Sequence, residues 1–233
     1  MYEEKIIPPK KAMPQAQDGT LRKFALRVPE VIYQCSGIIV FGKRIKSLVF
    51  STDLSIIKNV NADAIIAVYP FTPQPIITQA LLLAADIPVF AGVGGGLTKG
   101  QRVVNLAMFA EMQGATGVVL NAPTANAVVQ HVAETIDIPV VVTVARADTD
   151  FDARLQAGAN IFNVSAAAET PAIVRSIRER YPDVPIIATG GPTDESILET
   201  IQAGANAITW TPPSNGEIFR GIMAAYRDNK PHP

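Results

Sequence analysis

The sequence predicts a single α/β domain, a (β/α)8 barrel of the TIM type carrying an N-terminal extension. Three observations lead there: the length of the chain, a pair of short phrases that alternate along it, and the character of the runs behind those phrases. The 233 residues match the usual size of a complete barrel of this kind. Asp86-Ile87-Pro88-Val89, Asp137-Ile138-Pro139-Val140 and Asp183-Val184-Pro185-Ile186 each open an apolar stretch. Between them Asn61-Ala62-Asp63-Ala64, Gln113-Gly114-Ala115-Thr116, Ala157-Gly158-Ala159-Asn160 and Ala203-Gly204-Ala205-Asn206 do the same. Like phrases recur roughly every 45–50 residues, and each period holds two strand-and-helix units. The runs are short, almost wholly apolar and rich in Val and Ile, as parallel strands covered on both faces require.

Both phrases have a physical reason. Gly158 and Gly204 stand where a helix must end with positive φ, which glycine adopts without steric cost. In the Asp-Ile-Pro phrase a helix ends and proline begins a strand, where its missing N–H does little harm. Counted forward, the predicted barrel strands are 47–52, 63–69, 87–93, 117–121, 138–144, 160–165, 184–189 and 206–211. Helices fit at 53–60, 74–85, 99–113, 124–135, 149–157, 170–180, 193–203 and 214–227. Alternating β and α units close into a barrel or lie in an open doubly wound sheet, and eight even repeats favour closure.

Residues 1–46 form the extension and 47–233 the barrel. Pro8, Pro9 and Pro14 suggest an extended arm, and Thr20 to Arg27 a short helix. Gly37 to Gly42 and Ser47 to Phe50 read as two strands around a polar turn at Lys43-Arg44. This segment plugs the bottom of the barrel or meets a partner; the sequence leaves both open, and with them a homo-oligomer.

Composition narrows the function. With 48% hydrophobic and 18% charged residues the chain is globular rather than disordered. The net charge is −1, from 20 basic and 21 acidic residues, without runs of one sign, so neither nucleic acid nor a membrane is expected as partner. The run Ala80 to Ala85 stops at Asp86, far short of the ~20 residues of a membrane span. The first residues lack the pattern of a signal peptide, and a cytoplasmic location is expected. Cys35, the single cysteine, allows no intramolecular disulfide and no metal cluster.

Alternation along the strands selects the inward residues. If bulky Ile208 and Trp210 face the helices, Thr209 and Thr211 face inward. The same logic places Ser51, Tyr69, Asn121, Thr143, Asn163, Ser165 and Thr189 at the mouth, above Val49, Ile65, Val119, Val141 and Ile187. Active sites of such barrels lie at this end, so Asn121, Thr143, Asn163, Ser165, Thr189, Thr209 and Thr211 are the candidate substrate-binding residues. No Lys, His or Glu falls at an inward strand end, and His131 and His232 lie in a helix and the tail. Schiff-base chemistry, histidine catalysis, a metal and an organic cofactor are therefore not expected. Charged candidates come from loops: Asp53, Lys99, Arg102, Arg146 and Asp148. Asp53 and Arg146 follow their strands most closely and are the candidate catalytic pair. Gly92-Val93-Gly94-Gly95-Gly96 lacks the Gly-Lys-Ser/Thr of a Walker loop and is a flexible lid, close backbone packing or an anion cradle.

Ile186-Ile187-Ala188-Thr189-Gly190-Gly191, followed by Ala203-Gly204-Ala205-Asn206-Ala207-Ile208, is similar to the closing quarter of the phosphate-binding (β/α)8 barrels. These include keto-deoxy-phosphogluconate-type aldolases, ribulose-phosphate-type epimerases and glycerol-3-phosphate-responsive antiterminators. The resemblance implies that Gly190 and Gly191 hold a phosphate. Thr211-Pro212-Pro213 departs from it, because two prolines remove two N–H donors, and leaves Ser214 at the next helix start to serve instead. Ser214-Asn215-Gly216-Glu217 also has capping-box spacing. Ala91-Gly92-Val93, Asn121-Ala122-Pro123-Thr124 and Gly190-Gly191-Pro192 further resemble the phosphoenolpyruvate-hydrolase-like barrels, which implies a small phosphorylated or carboxylated acid. The expected function is binding and turnover of such a metabolite by a cofactor-independent lyase or hydrolase. Gly190, Gly191 and Ser214 would hold the anion, Arg146 would add positive charge, and Asp53 would move the proton. The alternative is a non-catalytic metabolite sensor of the antiterminator type.

Overall fold

The computed structural model describes residues 26–232 together with Gln15 and Gly19. The arm expected around Pro8, Pro9 and Pro14 lies outside the described residues, as does most of the helix expected from Thr20. Strands β1 (Ile38–Val40) and β2 (Lys43–Ile45) form an antiparallel hairpin. The barrel strands are β3 (Ser47–Phe50), β4 (Ala64–Ala67), β5 (Val89–Gly94), β6 (Gly117–Leu120), β7 (Val140–Val144), β8 (Ile161–Val164), β9 (Ile186–Thr189) and β10 (Ala207–Trp210). They pair in parallel in chain order, and β10 lies beside β3, so the sheet closes. The helices are α1 (Leu54–Lys58), α2 (Pro75–Ala84), α3 (Gln101–Met112), α4 (Asn126–Thr135), α5 (Phe151–Gln156), α6 (Thr170–Arg180), α7 (Asp194–Gln202) and α8 (Asn215–Arg227). None is long and apolar enough to cross a membrane.

The repeat phrases do local work that explains their recurrence. Gly114, Gly158 and Gly204 follow helices with φ of 96°, 97° and 114°. The Asp or Asn of the second phrase caps the start of the preceding strand. Asn160 Oδ1 accepts from Val140 N at 2.8 Å, Asn206 Oδ1 from Ile186 N at 2.9 Å, and Asp63 Oδ2 from Ser47 N at 3.0 Å. Each side chain satisfies an N–H at the very bottom of a strand, where the ladder has not yet begun. The proline carbonyls complete the joint: Pro88 O, Pro139 O and Pro185 O accept from Ile65 N, Val118 N and Phe162 N.

Two cores result. Inside the barrel Leu48, Ala64, Ile66, Phe90, Val119, Val141, Ile161, Ile187 and Ala207 pack together with Ile38, Val40 and Ile45 of the hairpin. The hairpin thus closes the N-terminal end of the barrel. Phe90 fills the centre because Gly117 makes room: a Cβ there would stand 2.7 Å from the Phe90 ring. The second core lies between the strands and the helices and includes Val49, Ile65, Phe162 and Ile208 with Val103, Val129 and Ile177.

Two expectations need correction. The partner of β1 is Lys43–Ile45 rather than Ser47–Phe50, and the turn is Phe41-Gly42. Both turn residues have positive φ, 47° and 77°, the tight turn whose twist suits a hairpin. Ser47–Phe50 instead opens the barrel. Val49 and Ile65 belong to the outer core, so the register of the first two barrel strands is the reverse of that expected. These strands are apolar on both faces, and periodicity cannot orient such a run.

Candidate functional site

The C-terminal ends of the strands form a mouth with a neutral polar floor. Val141, Ile161, Ile187 and Ala207 lie in the inner core, so Thr143, Asn163, Thr189 and Thr209, two residues on, face the barrel interior. They sit side by side: Thr143 pairs with Asn163 across β7–β8, and Thr209 with Thr189 across β10–β9. Asn163 Nδ2 donates to Thr143 Oγ1 at 3.3 Å, and Thr189 Oγ1 to Ser165 Oγ at 3.3 Å. Asn163 and Thr209 are only 8% and 7% exposed, yet Asn163 Oδ1 and Thr209 Oγ1 have no hydrogen-bond partner. A buried polar atom left unpaired costs about 1–3 kcal/mol.

At the same end of the barrel a cleft of about 580 Å³ opens between the loops after β3, β4 and β10, with Phe50, Asp53, Val68, Asn121, Thr211 and Ser214 on its walls. The inward residues of β3 and β4 at this level are Phe50 and Val68, which alternation with the wrong register missed. Ser51 and Tyr69 still line the cleft because the chain turns as it leaves each strand. Asn121 and Tyr69 also border a second cavity of about 210 Å³, walled by Gly92, Gly94, Gly96 and Thr98. A third, of about 370 Å³, lies over β9 and β10 beside Thr189, Gly191, Thr209 and Thr211.

Of the charged candidates, Asp53, Arg146 and Asp148 are engaged. Asp53 caps α1, its Oδ1 accepting from Ser55 N at 2.8 Å and Ser55 Oγ at 2.7 Å, while Asn215 Nδ2 donates to its Oδ2 at 2.5 Å. Bonding from the Ser55 hydroxyl, opposed by burial and reinforced by the Ile56 and Ser55 amides, holds this carboxyl below its ordinary value. Arg146 forms a two-pronged pair with Asp148 at 2.8 and 2.7 Å; its side chain is 78% exposed and it borders none of the three mouth cavities. Asp53 is therefore on the cleft and Arg146 is not.

The expected anion seat over β9 and β10 is also altered. Gly190 is buried, and a Cβ there would lie 2.8 Å from Ile197 Cγ1 and 2.9 Å from Ile208 Cγ2, so packing of α7 on the barrel demands this glycine. Gly191 has φ of 82° and is exposed. At the start of α8 the capping box is complete: Glu217 Oε2 accepts from Ser214 N at 2.8 Å and Ser214 Oγ at 2.7 Å. The Glu217 carboxylate, held low by those bonds, fills the seat intended for a ligand at Ser214.

Arg154, which no sequence signal marked, shapes the rim. From α5 its guanidinium donates to Thr124 O, to Asn126 Oδ1 at 2.8 Å and to Ala122 O at 2.8 Å. It ties down the segment that follows Asn121. Burial lowers its pKa from the ordinary value.

No family model matches the sequence, and no curated protein matches it. Solved structures do. A phosphonopyruvate hydrolase in complex with oxalate and Mg²⁺ is 13% identical with a TM-score of 0.58, over 80% of this chain and 84% of its own. The phosphoenolpyruvate phosphomutase of Streptomyces platensis subsp. rosaceus is 14% identical with a TM-score of 0.60, over 85% and 86%. A 2,3-dimethylmalate lyase, a member of the PEP mutase/isocitrate lyase superfamily, is 12% identical with a TM-score of 0.59, over 90% and 84%. What is shared is the fold. The likeness is one of barrel architecture alone. Magnesium takes oxygen ligands, carboxylates foremost. Among the described residues no three Asp, Glu, His or Cys side chains converge, and Asp53 is already bonded to Ser55 and Asn215. These residues do not fit such an ion.

Proposed function

We propose that this protein binds a small carboxylated or phosphorylated acid in the mouth of its barrel and turns it over as a cofactor-independent lyase or hydrolase. The observation that carries the reading is the pair of unpartnered buried atoms on the floor, Asn163 Oδ1 and Thr209 Oγ1. Their chemistry supports a ligand that both accepts and donates hydrogen bonds. The Thr209 hydroxyl donates to a carboxylate or phosphate oxygen, and Asn163 Oδ1 accepts from a ligand hydroxyl. Thr189 and Thr211 line the cavity that Thr209 borders, Asn121 and Thr211 line the main cleft, and Thr143 and Ser165 are further neutral candidates beside Asn163 and Thr189. Asp53 is the carboxylate on the cleft; kept ionised, it accepts a proton from the ligand or steadies positive charge as a bond breaks. Gly191 offers backbone close to the ligand from β9. The solved barrels named above include a hydrolase, a mutase and a lyase, which supports turnover by analogy of fold.

A second reading is a metabolite sensor without turnover. It is favoured by one observation, that Asp53, Arg146 and Glu217 are each taken up by a neighbour. One experiment separates the two. The protein is incubated with a panel of small hydroxy, oxo and phosphorylated acids, with binding followed by ligand-observed NMR and conversion by ¹H and ³¹P spectra. Binding with conversion that disappears in Asp53→Asn supports the enzyme. Binding that weakens in Asn163→Leu without conversion of any member supports the sensor, and binding indifferent to Asn163 and Thr209 refutes both.

A further inference from the structure

Closure of the sheet sets the inward side chains at the C-terminal ends of the strands in a ring, and the ring has two unlike arcs. Leu48, Ile66 and Phe90 lie in the inner core, so Phe50, Val68 and Gly92, two residues on, face the same interior. None of the three carries a polar side chain. On β7 to β10 the residues in the matching positions are Thr143, Asn163, Thr189 and Thr209, each two beyond an inner-core residue. β4 and β8 stand four strands apart in the closed sheet of eight, so the apolar arc faces the polar one across the mouth. Phe50 is 40% exposed and walls the main cleft together with Val68, Ile56, Pro70 and Pro212. Tyr69 adds little polarity there, because its hydroxyl accepts from Gln74 N at 2.8 Å. The neighbouring cavity of about 210 Å³ continues the apolar side, with exposed Phe71 and Leu97 on its walls.

Charge narrows the ligand further. Among the described residues that wall the three mouth cavities there is no Lys, Arg or His, and Asp53 alone is charged. A phosphate monoester carries close to two negative charges at neutral pH, and here it would face Asp53 with no cation to offset it. A carboxylate carries one, which hydroxyl and amide donors can serve. Apolar surface standing open in a cleft gains most from covering by a hydrocarbon group. We infer that the ligand of this mouth is a monocarboxylic acid with a hydrocarbon substituent of several carbons, its polar end over β7 to β10 and its hydrocarbon against Phe50 and Val68. This rests on the mouth-binding reading above and selects within it the carboxylated class over the phosphorylated one. Thr211 borders both the cavity over β9 and β10 and the main cleft, so one molecule of this kind spans the two.

The test measures dissociation constants of the full chain by calorimetry for lactate, 2-hydroxyhexanoate and phospholactate. The second lengthens the hydrocarbon of the first, and the third adds a phosphoryl group to it. Burial of one methylene tightens binding about fourfold, so 2-hydroxyhexanoate should bind at least about tenfold more tightly than lactate. Phospholactate should bind more weakly than lactate. Phe50→Ala, which removes the ring, and Val68→Thr, which keeps the shape and turns the wall polar, should each weaken 2-hydroxyhexanoate more than lactate. Equal affinity for lactate and 2-hydroxyhexanoate, or phospholactate as the tightest ligand, would overturn the inference. So would a preference for the longer acid that both variants retain in full. In any of these cases the mouth-binding reading stands as long as Asn163→Leu weakens whichever acid binds. Binding indifferent to Asn163 and Thr209, or no binding of any of these acids, would overturn the inference and the reading together.

Discussion

Replacing Thr209 by Val should stabilise this protein, whereas the same change at Thr170 should destabilise it. Both side chains are buried, at 7% and 1% exposure, and both substitutions exchange a hydroxyl for a methyl of similar shape. The difference is in the partners. Thr170 Oγ1 accepts from Ala166 N at 3.0 Å, so its removal strands a backbone donor and costs about 1–3 kcal/mol. Thr209 Oγ1 has no partner, so valine removes an uncompensated hydroxyl and gains roughly 1 kcal/mol. For a domain of this size 1 kcal/mol moves Tm by about 2–4 °C. Thermal unfolding followed by circular dichroism should therefore show the two variants shifted in opposite directions. If Thr209→Val lowered Tm as much as Thr170→Val, the Thr209 hydroxyl would be serving the fold, and its role in holding a ligand would fall. The stabilised variant should also bind small acids more weakly, since the group that burdens the empty site is the one that meets the ligand.

Gly95→Ala should destabilise by about 2 kcal/mol or more, because the new methyl meets Thr124 Oγ1 in a backbone conformation that disfavours side chains; urea midpoints measure this, and a second change, Thr124→Ala, should restore part of the loss. Asp53 is held below its ordinary pKa in the fold, so its contribution is present above the unfolded carboxylate value and lost as pH falls through the folded one. Asp53→Asn keeps a residue competent to cap α1 and should flatten that acid limb of stability, measured as urea midpoints against pH, and a limb as steep as in the parent chain would contradict the assignment.

Part of the site was legible because strands alternate. Thr209 is read from a strand in which bulky Ile208 and Trp210 take the other face, and Thr143, Asn163 and Thr189 are polar residues two positions beyond the inward Val141, Ile161 and Ile187. The same rule misplaced Val49 and Ile65, since β3 and β4 are apolar on both sides and carry no such contrast. The capping box at Ser214 was visible as a spacing, but that its carboxylate would close an anion seat depends on the side chain reaching back. Arg154 left no trace in the sequence. Its three acceptors on residues 122–126 lie about thirty positions away in the chain and are brought near only by the packing of α5 beside α4.

The sequence by itself determined the barrel, because the repeated phrases are local instructions: a glycine to end each helix with positive φ, a proline to begin a strand, an Asn or Asp to cap its neighbour. The glycine and the proline act on their own backbone, and each cap reaches only to the preceding strand, 16 to 20 residues back. Only the tertiary structure decided which polar groups would be left without partners. Whether Thr98 Oγ1, Asn163 Oδ1 or Thr209 Oγ1 finds a hydrogen bond depends on what the other strands and loops place within about 3 Å of it, and no spacing along the chain encodes that.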